Sequence, residues 1–263
     1  MRGAALLMTI APAGLAPRRC HLRDADHKYV WEPTGEEMAI SITGVRDFFK
    51  DPDRYSKLAL KYPEGSYTRW WVDNCSEIGT HVHRWLYYKA TGNIPPDLAE
   101  KGINVLGTHT PDGHDCTPWI EQLTTGVVNA DRGITMENFW DEIEVLGAEY
   151  TMVNTRKSCG GQADLIYRNK QGKTVLLDLK NKSENWKTAS KDDLLSYSQQ
   201  AGGYLELLQS GDDADSPPWI HQCRTLIITP NQVKWLSIME PNACSLDWEE
   251  CWGAYAKVIK STF

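Results

Sequence analysis

The chain has 263 residues, 41% of them hydrophobic and 24% charged, with a net charge of −7. That length can bury a substantial core as one large domain or two small ones, and the composition is that of an ordinary soluble globular protein. The acidic balance argues against a protein that coats DNA by charge alone, yet leaves room for a local basic groove.

Residues 1–19 carry an early Arg2, a short apolar centre broken by Pro12 and a basic end, and read as a disordered leader. An organellar leader fits the same pattern. Residues 20–263 read as a single domain, because no linker, repeat or low-complexity tract divides them. Tyr29–Trp31 and Met38–Ile42 are predicted as short strands about the Pro33-Thr34-Gly35 turn. Ser41 or Thr43 then caps a helix through Val45–Phe49. Val72, Ile78, Val82 and Leu86 recur at helical period and predict a long helix over Arg69–Ala90. Residues 93–118, rich in Gly, Pro, Asp, His and Thr, read as a loop insertion that could serve as a flap over a groove. Trp119–Val128 reads as a helix and Ile143–Val153 as a strand.

The next stretch, Gly160–Lys180, organises the rest. Two apolar runs, Ala163–Tyr167 and Thr174–Leu179, flank a polar turn and predict a β-hairpin. Asp164 opens the first run, while Asp178 and Lys180 close the second on one shared face. Two carboxylates crowded at the open end of an apolar hairpin repel one another, and a divalent cation explains them most easily. Beyond it, Asp192–Gln209 reads as an amphipathic helix whose Gly202-Gly203 pair implies close packing or close approach of a ligand. Leu226–Thr229 and Val233–Ile238 predict a second hairpin, and Ser245–Ile259 a closing helix capped by Ser245.

Taken together, Gly161-Gln162-Ala163-Asp164 followed by Asp178-Leu179-Lys180, Gly79-Thr80-His81-Val82-His83 before them, Gln200 to Tyr204 after them and Ser41-Ile42-Thr43 near the start form an ordered set. The set resembles the PD-(D/E)XK nuclease superfamily, in its RecB-like exonuclease branch, which includes phage and mitochondrial genome-maintenance exonucleases. The correspondence is good from about Glu144 to Tyr204 and weaker from Ser41 to Ala90; the insertion and the last 55 or so residues lie outside it. The resemblance implies an α/β fold, a restriction-endonuclease-like core with a central mixed β-sheet flanked by helices. It implies Mg²⁺, with Mn²⁺ as a substitute, held by His83, Asp164, Asp178 and the backbone carbonyl of Leu179, with Glu149 as a further ligand. Glu144 competes with Glu149 for that place and His81 competes with His83, although two positions two apart on a helix cannot serve one metal. Asp164, Asp178, Lys180, Gln200 and Tyr204 are the implied catalytic set.

Lys182, Trp186, Lys187 and Lys191, with Arg156 and Lys157 nearby, form a basic tract with an aromatic, suited to phosphate contact and base stacking. The seven cysteines are odd in number, scattered and without a CxxC pair, which fits free thiols in a reducing cytosol better than an iron–sulfur cluster or a zinc ribbon. No apolar run is long enough for a membrane span. The expectation is therefore a cytoplasmic, metal-dependent deoxyribonuclease. Its substrate would be DNA with a free end or a single strand. An endonuclease of the same superfamily, or a catalytically silent DNA-binding module, is the alternative.

Overall fold

Alternation in two neighbouring strands sets the architecture. Leu165, Tyr167, Val175, Leu177 and Leu179 belong to one buried cluster, while Ile166 and Leu176 belong to another. Residues of opposite parity thus face opposite sides, and both sides of the sheet are covered.

The computed structural model describes residues 14–23, 27–214 and 217–262. Strands β1 (Cys20–Arg23), β2 (Lys28–Trp31) and β3 (Glu36–Glu37) form a small antiparallel sheet. β4 (Ile40–Ser41) runs into α1 (Ile42–Asp47), followed by α2 (Arg54–Ala59), the long α3 (Tyr67–Thr91), α4 (Pro96–Ala99) and α5 (Thr117–Thr125). A short hairpin, β5 (Val127–Asn129) and β6 (Ile134–Thr135), and α6 (Met136–Glu142) lead to β7 (Glu144–Asn154), β8 (Cys159–Arg168) and β9 (Thr174–Asn181). Then come α7 (Lys191–Ser210), β10 (Gln222–Ile228), β11 (Val233–Trp235) and α8 (Pro241–Thr262). The expected mixed sheet flanked by helices is present: β8 runs antiparallel to both β7 and β9, β9 and β10 run parallel, and β4 runs parallel to β8.

On one face, α1, α7 and α8 pack over Ile166, Leu176 and Cys223; on the other, α3 and α5 pack over Leu165, Leu177 and Leu226. The Gly202-Gly203 pair serves helix packing. A Cβ on Gly202 would stand 2.0 Å from the Cys244 carbonyl oxygen of α8, and one on Gly203 2.7 Å from Ile42 of α1. Among the described residues no helix is long and apolar enough to cross a membrane, and all seven cysteines are free thiols.

Several elements depart from the sequence expectations. Residues 1–13 lie outside the described residues, but residues 14–19, expected within the leader, are laid against the domain. The Leu15 N–H donates to Leu146 O at 2.7 Å, and the buried Arg18 donates to the carbonyls of Leu207 and Leu208 at 2.6 and 2.5 Å. These are last-turn carbonyls of α7, at the negative end of the helix dipole, and the Leu207 oxygen also accepts the Gly211 N–H at 3.0 Å. Helix α5 stops at Thr125 and Val127 enters a strand. Helix α8 starts at Pro241, so Ser245 lies inside it rather than capping it. Proline suits a first helical turn because its missing N–H would be unpaired there anyway. The 93–118 segment is tied along α3. Arg84 donates to Asp97 at 2.5 Å, His81 and Trp85 both meet Gly107 O at 2.9 Å, and Leu98, Leu106 and Cys116 are buried.

Candidate active site

The sheet forks where the polar residues gather. β7 lies along one edge of β8 from Cys159 to Arg168. The other edge is taken by β4 at Cys159 and Gly160, and by β9 only from Leu165 onward. Past the last β8–β9 pair, Leu165↔Leu177, β9 continues against β10 alone. Asp164 and Asp178 stand one residue beyond that pair, both buried. The Asp164 carboxylate bridges the fork by accepting the Leu179 N–H at 2.5 Å, so a side chain stands in for a ladder bond.

Glu149 of β7 falls across from Asp164, between the pairs Ala148↔Leu165 and Tyr150↔Ala163. Its φ is 46°, a left-handed conformation that costs a non-glycine residue roughly 1–3 kcal/mol and persists where surrounding contacts enforce it. Gln162 is one such contact, its Nε2 donating to Glu149 O at 3.0 Å and to Thr151 Oγ1 at 3.1 Å. From α3, His83 Nδ1 comes within 3.1 Å of Glu149 Oε1 and 3.5 Å of Asp164 Oδ1. One ligand atom from each of His83, Glu149 and Asp164 lies within 4.8 Å of the others; among the described residues no other trio of His, Cys, Asp or Glu comes so close. Neither rival residue joins them. His81 is turned to Gly107, and Glu144 pairs with Arg168 at the far end of β7.

The electrostatics record the crowding. Burial pushes the Asp164 carboxyl up to about 7; His83 opposes this while Asp178 and Glu149 add to it. Burial works against charge on His83, but Asp164 and the hydrogen bond to Glu149 outweigh it and hold its pKa at about 9. Asp164 and His83 thus hold protons that a divalent cation would displace.

Asp178 belongs to the adjoining half of the site. Its Oδ1 accepts Lys180 Nζ at 2.7 Å, and its Oδ2 is buried without a hydrogen-bond partner. Lys180 Nζ also donates to Gln200 Oε1 at 2.9 Å, and Gln200 Nε2 donates to the buried Tyr204 OH at 2.7 Å. One helical turn separates Gln200 from Tyr204 on α7, which puts both on the face toward the strands. Burial drives the Tyr204 hydroxyl well above its ordinary pKa, keeping it neutral. Four of the five residues expected to be catalytic, Asp178, Lys180, Gln200 and Tyr204, therefore lie in one hydrogen-bonded chain, and Asp164 is tied to the same strand through the Leu179 N–H. The expected metal ligands divide, with Asp178 engaged by Lys180 rather than grouped with the His83 trio.

Two contributors escaped the sequence reading. Arg46 of α1 donates NH1 to Gln200 Oε1, while its Nε and NH2 hold Asp47 at 2.7 and 3.0 Å. Tyr197 of α7 places its ring 5.7 Å from Lys180 Nζ and 5.8 Å from Lys182 Nζ, its own hydroxyl buried and unpartnered. The only prior signal for Arg46 was its position one turn beyond the Ser41 cap.

Of the expected nucleic-acid tract, Lys182 is drawn in beside Tyr197, where burial lowers its pKa. Lys187 and Lys191 are exposed, and Trp186 packs toward Lys234 with the ammonium 5.7 Å from its ring. Arg156 is exposed in a single 3₁₀ turn, Thr155–Lys157; its neighbour Lys157 turns to Glu206 and to the Trp252 ring. No contact joins Arg156 to the 181–191 lysines among the described residues.

Comparison with known proteins adds little. No protein-family model matches the chain, and no curated protein does. The solved structure of SSO0001 aligns with 43% of this chain at 19% identity and a TM-score of 0.29, a likeness too slight to carry an argument. The aligned part spans 50% of that structure's chain.

Proposed function

We propose that this protein is a Mg²⁺-dependent deoxyribonuclease that hydrolyses phosphodiester bonds, acting as an exonuclease on single-stranded or end-processed DNA. The observation that carries this reading is the convergence of His83, Glu149 and Asp164, from three separate elements, within 4.8 Å beside Lys180. The donors fit a hard divalent cation: two carboxylates and one imidazole, with the buried, unpartnered Asp178 Oδ2 as a further oxygen. When bound, such a cation supplies Lewis-acid polarisation and a more acidic water.

The remaining work falls to the chain's own groups. Lys180, fixed between Asp178 and Gln200, offers an ammonium to the negative charge that develops on phosphate oxygens. Gln200 and Tyr204 fix that ammonium's direction from a buried helix face. Asp164 holds the fork closed through Leu179, keeping the carboxylates buried at the fork rather than in solvent. Lys182, Lys187 and Lys191 supply positive charge along one approach to the site, in a chain whose net charge is −7.

Digestion of end-labelled linear and circular single-stranded DNA, with Mg²⁺ and with EDTA, tests the reading. The proposal expects Mg²⁺-dependent loss of the linear substrate and survival of the circle. Cutting of the circle would reassign the protein as an endonuclease, and binding without any cleavage would make it a DNA-binding module.

A further inference from the structure

Two cations converge on one neutral oxygen in the candidate site. Gln200 Oε1 accepts both Lys180 Nζ and Arg46 NH1, although it is an amide oxygen and two carboxylates lie nearby. Were Arg46 a counter-ion for Asp178, its free edge would reach Asp178 Oδ2, which is buried and has no partner. Instead Asp47 grips the Nε–NH2 edge, and Lys50 and Arg54 share that same carboxylate at 2.8 and 2.9 Å. Asp47 is thus outnumbered three to one, and the NH1 of Arg46 is left facing the site. The arrangement is rigid because α1 is anchored at both ends. Ser41 caps it at 2.9 Å through the Gly44 N–H, and Ile42 and Val45 are buried against α7 and α8.

We infer that Arg46 and Lys180 form a two-cation seat for a nonbridging oxygen of the DNA phosphodiester, a seat that Gln200 Oε1 fills when no substrate is bound. An anionic oxygen would accept these donors in charge-assisted bonds roughly twice as strong as those to an amide, so substrate displaces Gln200 favourably. A guanidinium held along one edge can present its remaining N–H groups to phosphate, which a lysine at the same place could not do while keeping Asp47. The inference rests on the nuclease reading and names a residue that reading did not need.

The test is fluorescence anisotropy of a labelled short oligothymidylate with Ca²⁺ replacing Mg²⁺, read across a salt series for wild type, Arg46→Met and Arg46→Lys. Thermal melts verify that each variant folds, and Mg²⁺ cleavage is measured in parallel. Arg46→Met is expected to weaken binding about tenfold and to lower the slope of log affinity against log salt by about 0.7, one phosphate contact on a single strand. Arg46→Lys is expected to keep the slope and lose kcat. A folded Arg46→Met with wild-type affinity and slope overturns the inference and leaves the nuclease reading standing. Should Arg46→Met not fold, Arg46→Lys decides: unchanged kcat overturns the inference. Wild type that binds but never cleaves overturns the nuclease reading, while the salt slope still decides Arg46. Wild type that does not bind overturns both.

Discussion

Replacing Asp164 with Asn probes the candidate metal group without disturbing its shape. Asn has nearly the same volume, and its Oδ1 can still accept the Leu179 N–H that closes the fork. What is lost is one of two carboxylates in the trio whose ligand atoms lie within 4.8 Å. A cation at about a hundredfold its dissociation constant stabilises the folded state by about 2.7 kcal/mol. For a chain of this size, that corresponds to a melting shift of about 5–10 °C. Losing a charged ligand weakens binding by about a hundredfold or more, as even outer contacts to a metal matter by 10–100-fold. At the same cation concentration, Asp164→Asn should then keep about 0.4 kcal/mol, a shift of about 1 °C. Without metal, the variant should melt no lower than wild type at pH 8, because burial and two neighbouring carboxylates already resist charge on Asp164. The assay is a thermal melt of both proteins with Mn²⁺, Mg²⁺ and EDTA. A wild-type melt indifferent to both cations, or an equal shift in the variant, would refute the reasoning.

Cation affinity should rise with pH, because His83 is held protonated up to about 9 by Asp164 and Glu149 and must shed that proton to become a ligand. Calorimetric titration with Mn²⁺ at pH 6.5 and 8.5 should show tighter binding at the higher value, and flat affinity would exclude His83 as a ligand. Gly202→Ala should cost about 3 kcal/mol or more in urea unfolding, since its Cβ meets a backbone carbonyl at 2.0 Å. Gly253→Ala in α8, with open space around it, should instead stabilise by up to about 1 kcal/mol. Arg18→Met should cost about 1–3 kcal/mol by orphaning the Leu208 carbonyl and removing one of two donors to Leu207 O, measured in the same way.

What could be read from the sequence follows from the range of the interactions involved. The β8–β9 hairpin, α3 and α7 announce themselves through local period and turn residues, and the Ser190–Asp193 capping box starts α7 one residue ahead of the expected Asp192. Helical geometry lets only one of His81 and His83 serve a single metal, and the spacing of the family that the motifs resemble favours His83. The division between Asp178 and the His83 trio was not readable, because it depends on β9 leaving β8 for β10, a pairing between strands that a whole helix separates. Arg46 and Arg18 were missed for a similar reason: each meets α7 more than 150 residues away, and nothing local to either marks that contact. The left-handed Glu149 lies inside an alternating strand pattern that predicts ordinary extended backbone there.

The central claim is that this site hydrolyses DNA with a metal held by its carboxylates. It is tested most directly by single-turnover cleavage of an end-labelled linear single strand by wild type, Asp178→Ala and Lys180→Ala, with Mg²⁺ and with EDTA. Mg²⁺-dependent cleavage by wild type, abolished by EDTA and by either substitution in proteins that still fold, is the predicted result. Cleavage at the wild-type rate by both variants, or in EDTA, would contradict it.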